Sequence, residues 1–156
     1  MAREYRLRTH IHVPSSLDTT FAFFADAANL ARVTPRELGF SIATPLPIEM
    51  RAGALIDYTI RLWGVPLRWR TRIAVWEPGV QFVDEQLAGP YRSWVHTHRF
   101  TGADGGTDID DEVVYSLPFG LAGRLAAPLI RLQLGRIFRY RTAEVLRLLH
   151  ALASRS

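Results

Sequence analysis

FVDEQLAGPYRSWVHTHRF, residues 82–100, reads as two strands on either side of a Gly-Pro turn. In an antiparallel pair the turn sets which side chains meet across the strands. With Gly89-Pro90 at the centre, Gln86 meets Trp94, Asp84 meets His96, and Phe82 meets His98. All six point to one side, so an otherwise apolar face carries Asp84, Gln86, His96 and His98. Burying an unpaired polar group costs about 1–3 kcal/mol, and an unpaired charge costs far more. These groups must therefore bond to one another, to water or to a guest molecule.

The neighbouring turns extend this face. A turn at Gly105-Gly106 places His96 beside Tyr115, His98 beside Val113 and Phe100 beside Asp111. The Glu77-Pro78-Gly79 turn sets Val75 beside Phe82, Ile73 beside Asp84 and Thr71 beside Gln86. Trp69 continues the row, and the Trp63-Gly64 turn adds Ile56, Tyr58 and Ile60. One concave face thus gathers Tyr58, Trp69, Ile73, Phe82, Trp94, Phe100, Val113 and Tyr115, with Asp84, Gln86, His96, His98 and Asp111 as its polar members. On the opposite face Arg72 falls near Glu85, Arg99 near Glu112 and Arg70 near Asp57, as solvated cross-strand pairs.

Outward from the sheet, Tyr5 to Val13 alternates: Tyr5, Leu7, Thr9, Ile11 and Val13 share one face, and Arg6, Arg8, His10 and His12 the other. Residues 14–35 carry Ser15 or Ser16 as an N-cap, apolar residues at helical spacing, and a Pro at the end. This predicts two short helices broken near Asp26 to Asn29. LGFSI, ALIDYTIRL, PLRWRTRIAVW, VQFVDEQLA, RSWVHTHRF and TDIDDEVVYSL follow as strands joined by short turns. The last helix is expected to start near Pro128, which suits a first turn, and its stripe is Ile130, Leu134, Ile137, Phe138, Val145 and Leu148. Arg141 lies in register with that stripe and needs an acid: Asp84, Asp111 or a ligand carboxylate. The fold class is α+β: a six- or seven-stranded antiparallel curved sheet wrapped around a long C-terminal helix, with two short helices between strands 1 and 2.

Composition narrows the function classes. The 156 residues suit one domain, taken as 1–156. The absence of cysteine excludes disulfides, thiolate catalysis and Cys-ligated metals. The beginning has no secretory signal and no stretch approaches a membrane span, so a cytoplasmic protein without integral membrane contact is expected. All 19 basic residues are Arg, but they are spread along the chain and many oppose acids, so no nucleic-acid partner is expected.

His96 and His98, at alternate strand positions facing Asp84, match a two-His-one-carboxylate metal set. Histidines bonded to Asp84, Tyr115 or water in a cavity are the better reading, and no metal is expected. A His96-Asp84 acid-base pair with Tyr115 as donor is chemically sensible for catalysis. Perturbed groups arise in binding cavities as readily as in enzymes, so binding is favoured. The Arg residues on the last helix allow a membrane-surface role, but a solvated face is the commoner meaning.

Across nearly its full length the chain resembles the START-like or SRPBCC superfamily. NLARVTP, FVDEQLAGPYRSWVHTHRF, DEVVYSLPFG and IFRYR resemble in particular a bacterial, polyketide cyclase/dehydrase-like subgroup that also occurs fused to nucleotide-sugar-epimerase-like proteins. The resemblance implies the helix-grip fold and a site in the cavity between sheet and helix, with no transferable catalytic set, and no cofactor is expected. The expected function is binding of a small hydrophobic or amphipathic molecule, lipid- or polyketide-like. The expected lining is Tyr58, Trp69, Ile73, Phe82, Asp84, Gln86, Trp94, His96, His98, Phe100, Val113, Tyr115, Ile137 and Arg141. The alternative is a cyclase or dehydratase using His96 and Asp84. Oligomeric state stays open.

Overall fold

The computed structural model describes residues 2–155. Strand β1 (Glu4–Val13) leads into α1 (Leu17–Ala25), capped by the Ser16 hydroxyl, which accepts from the Thr19 N–H at 3.1 Å. A short α2 (Asn29–Arg32) and a 3-10 turn (Arg36–Leu38) follow, then β2 (Ser41–Ile42), β3 (Leu55–Leu62), β4 (Val65–Glu77), β5 (Gln81–Ala88), β6 (Ser93–Ala103) and β7 (Gly106–Ser116). Helix α3 (Gly120–Ala153) ends the chain. The strands form one seven-stranded antiparallel sheet in the order β1-β7-β6-β5-β4-β3-β2, so hairpins build every contact except that of β1, which returns to pair with β7.

The α+β architecture expected from the pattern is present, with the alternation of β1 intact and the short helices at their expected place. The apolar side of the sheet faces α1 and α3: Val13, Phe82, Phe100 and Ile109 pack with Phe21, Val145 and Leu149, and Trp69, Trp94 and Tyr115 with Leu134 and Phe138.

Five details depart from expectation. Helix α3 begins at Gly120, not near Pro128, which lies inside it. Its added first turns bury Gly123 and Ala127, two small residues that a search for a large apolar stripe passes over. The β6–β7 turn centres on Asp104-Gly105, with Gly105 at φ +75°, so Trp94 meets Tyr115, His96 meets Val113, His98 meets Asp111 and Phe100 meets Ile109. This is a shift of two residues that keeps every side chain on its expected face, since the strand period is two.

In β4, a bulge between Ile73 and Val75 brings Trp76, not Val75, opposite Phe82, while Ile73–Asp84 and Thr71–Gln86 pair as expected. The β5–β6 ladder ends at Glu85–Val95, so Gln86 is not paired with Trp94. Its amide instead bridges the turn, donating to the Tyr91 carbonyl at 2.7 Å and accepting from the Tyr91 N–H at 3.2 Å. On the outer face Arg70–Asp57 and Arg72–Glu85 pair as expected, whereas Glu112 takes Arg8 and Arg6, and Arg99 lies opposite Asp110.

Candidate functional site

Three neighbouring strands deliver the polar cluster. Asp84 comes from β5, His96 and His98 from alternate positions of β6, and Asp111 from β7, directly across from His98. His98 bridges both carboxylates: its Nε2 lies 2.8 Å from Asp84 Oδ2 and its Nδ1 3.0 Å from Asp111 Oδ1. His96 sits looser, with Nδ1 3.9 Å from Asp84 Oδ2 and Nε2 3.7 Å from Asp111 Oδ1. The two imidazoles overlap at 3.7 Å between ring centres, and Phe82 stacks on the other side of His98 at 4.1 Å.

Charge follows from this geometry. Burial works against a charged His98, but the Asp111 and Asp84 carboxylates outweigh it and hold its pKa above the usual value. Burial and the adjacent His98 charge push His96 the other way. Burial disfavours both carboxylates, yet the histidines hold Asp84 below its ordinary range and Asp111 well below it, Arg141 adding to the effect on Asp84. One imidazolium between two carboxylates leaves a negative charge, and Arg141 is the nearby cation that offsets it.

Arg141 rises from α3 over the Phe24 ring, its guanidinium carbon 5.6 Å from the ring centre. Among the described residues no carboxylate comes within 4.0 Å of it, because Asp84 and Asp111 are engaged by the histidines. Two cavities meet there. The first, about 110 Å³, lies between the sheet and the short helices; Asp84, His98, Tyr58, Thr71 and Arg141 supply its polar side, and Phe24, Ile73 and Phe82 part of its apolar wall. The second, about 120 Å³, runs between the sheet and α3 against Trp69, Trp94 and Ile137. Leu30, Val33, Tyr58 and Arg141 line both. Each has room for several waters.

Of the residues expected to line a site, Tyr58, Ile73, Phe82, Asp84, His98 and Arg141 border the first cavity, and Tyr58, Trp69, Trp94, Ile137 and Arg141 the second. Gln86, His96, Phe100, Val113 and Tyr115 border neither: Val113, Tyr115 and Phe100 are packed in the core, and His96 lies behind His98 against Phe138. Sequence reasoning missed Asp26 and Asn29, which the break between α1 and α2 brings to the rim of the first cavity, and Phe24 beneath Arg141. The helix break was the available signal. Trp69 Nε1 is buried without a hydrogen-bond partner, another unspent donor beside the second cavity.

Asp84, His96 and His98 present ligand atoms within 4.8 Å of one another. The imidazoles overlap, however, and both His98 nitrogens already face carboxylates, Nε2 in a hydrogen bond to Asp84 and Nδ1 at ion-pair distance from Asp111 without hydrogen-bond geometry, which is the arrangement of an ion-pair network.

No protein-family model matches the chain, and no curated protein matches it in sequence. Solved structures do match. A protein from Thermus thermophilus superposes with a TM-score of 0.77 at 13% identity, over 95% of this chain and 99% of that one. The Zhui aromatase/cyclase from a Streptomyces species gives 0.75 at 15% identity, over 94% of each chain. A nucleoside-diphosphate sugar epimerase from Corynebacterium glutamicum gives 0.64 at 23% identity, over 90% of this chain and 28% of that one. The chain has the helix-grip fold. In this helix-grip structure the gripped helix is α3; the second cavity lies beneath it, and the first lies beside it under the short helices. Among the described residues no helix is long and apolar enough to cross a membrane.

Proposed function

We propose that the protein binds a small amphipathic molecule with an anionic or strongly polar end at the junction of the two cavities. One observation carries this: Arg141 stands at that junction with no carboxylate in reach. A half-buried guanidinium held on an apolar ring is costly unless its donors find acceptors. A ligand carboxylate, sulfonate or enolate meets that need, and the Tyr58 and Thr71 hydroxyls, 3.5 Å apart, supply further polar contacts. The walls of Phe24, Ile73, Trp69 and Ile137 then take the apolar remainder.

The fold supports ligand binding and cyclase chemistry alike, and one feature favours keeping an acid-base reading in second place. Asp84 and its partner His98, 2.8 Å apart, both border the first cavity, so the carboxylate that reaches a ligand is already oriented. That chemistry would run through Asp84 and His98, since His96 borders neither cavity and stands 3.9 Å from Asp84.

Isothermal titration with benzoate, a single ring that either cavity can hold, tests the binding reading. We expect one site, and at least tenfold weaker binding to Arg141→Gln, which removes the charge and keeps a polar side chain. Equal affinity of wild type and variant, with both folded by circular dichroism, overturns the reading. Native mass spectrometry of freshly purified protein checks for a co-purifying molecule that leaves the Arg141→Gln variant.

A further inference from the structure

The outward face of the first third of α3 is apolar where a solvated helix would be polar. Leu121, Leu125, Leu129 and Leu132 follow one another at helical spacing on one face and are between 56% and 76% exposed. Two aromatics extend the patch. Phe119, immediately before α3, is 85% exposed, and Trp63, in the β3–β4 turn beside Leu129 and Leu132, is 62% exposed. Both hold left-handed backbone, φ +65° and +49°, which favours glycine and which large residues occupy where something requires them.

The rim of this patch is basic at both ends. At the start of α3 a cleft beside Leu121 is lined by Arg3, Arg92 and Arg124 and contains no acid. At the other end a second cleft beside Leu129 and Leu132 is lined by Arg61, Arg136 and Arg139, and its one acid, Glu37, is paired with Arg136. Helix α3 has no acidic residue before Glu144.

We propose that this face docks on an anionic lipid surface, α3 lying along the headgroup layer with its leucines, Phe119 and Trp63 dipped into it. Apolar residues flanked by arginine, with the single rim acid already paired, are the composition that binds such a surface. The charge argues against a second copy as the occupant, because a two-fold contact would lay arginine clefts against one another with no free acid to offset them. The shape argues against a folded protein partner, because the patch is a helix ridge that would need a matching groove, whereas a lipid layer accepts it as it is. The inference does not rest on the cavity reading, since no residue of the patch borders either cavity.

Vesicle flotation tests it with the full chain. We expect binding to vesicles of phosphatidylcholine mixed with phosphatidylglycerol, little binding to phosphatidylcholine alone, and release as salt is raised. Leu125→Ser/Leu129→Ser should weaken binding tenfold or more, and Arg124→Gln roughly fivefold. These positions are exposed, so thermal melts should not change. Absence of wild-type binding to the mixed vesicles overturns the proposal, as does equal binding to phosphatidylcholine alone or binding indifferent to the leucine substitutions. A concentration-dependent dimer in sedimentation, lost in the double-leucine variant while vesicles stay unbound, overturns it in favour of a second copy.

Discussion

The behaviour of the polar cluster turns on His98. It is the one cation touching both Asp84 and Asp111, so removing it leaves two buried carboxylates facing each other. Losing one partner of a buried ionic network costs about 3–5 kcal/mol, which is the expected loss for His98→Gln at neutral pH in chemical denaturation. His96→Gln should cost about 1–2 kcal/mol, because its contacts are long and its ring is the neutral one of the pair.

The pH dependence has a defined sign. The carboxylates, depressed in the fold, contribute stability that is lost as pH falls through their folded values, and His96, also depressed, loses stability as pH falls below its ordinary value of 6.5. His98, raised, contributes below 6.5 and loses that contribution as pH climbs through its folded value. Maximal stability is therefore expected around the ordinary histidine value of 6.5, in the window between the lowered His96 and the raised His98 values, where His98 carries a proton and His96 does not. In His98→Gln part of the loss should return on mild acidification, as one carboxylate takes up a proton; a loss unchanged by pH would contradict the ionic account. That Asp84, His96, His98 and Asp111 share a face was readable from the turns and the strand period. Which histidine holds the proton was not, because it depends on a two-residue shift that parity does not detect.

At the scale of elements, the sheet was legible because alternation and short turns are local signals, whereas two features set by close packing were not. One is the β4 bulge that turns Trp76 inward against Phe21 and Phe82. The other is the start of α3. A Cβ placed on Gly123 would lie 2.2 Å from the Pro118 carbonyl oxygen and 3.2 Å from Leu117 Cβ, and backbone cannot move aside as a flexible side chain can. Gly123→Ala, despite its better helix propensity, should destabilise by about 1–3 kcal/mol, the usual range for overpacking. Hydrogen exchange should show the damage confined to residues 120–127, with the amides around Leu148 and Leu149 still protected. A stabilised variant would mean that the first turns of α3 do not sit against Leu117 and Pro118, the residues that follow β7.

At the scale of the whole molecule, the grip decides how large a guest can be. The order of elements was readable from sequence, but the volume beneath α3 was not, since it is the small remainder left after Phe23, Phe82, Trp94 and Phe138 have packed. The two cavities, about 110 and 120 Å³, are each below the roughly 300–1,000 Å³ usual for drug-sized ligands, so one alone suits a short chain or single ring. A guest anchored at Arg141 can extend into either. Straight-chain carboxylates of increasing length should therefore gain about 0.8 kcal/mol, or fourfold in affinity, per methylene until the chosen chamber is full, and then level off. Trp69 and Trp94 border only the second cavity, so quenching of their fluorescence reports entry there. Ile137→Phe narrows that cavity and should bring the plateau to shorter chains, while leaving the affinity of the shortest carboxylates, set by Arg141, nearly unchanged. An unaltered plateau, with quenching retained, would place the tail elsewhere than between the sheet and α3.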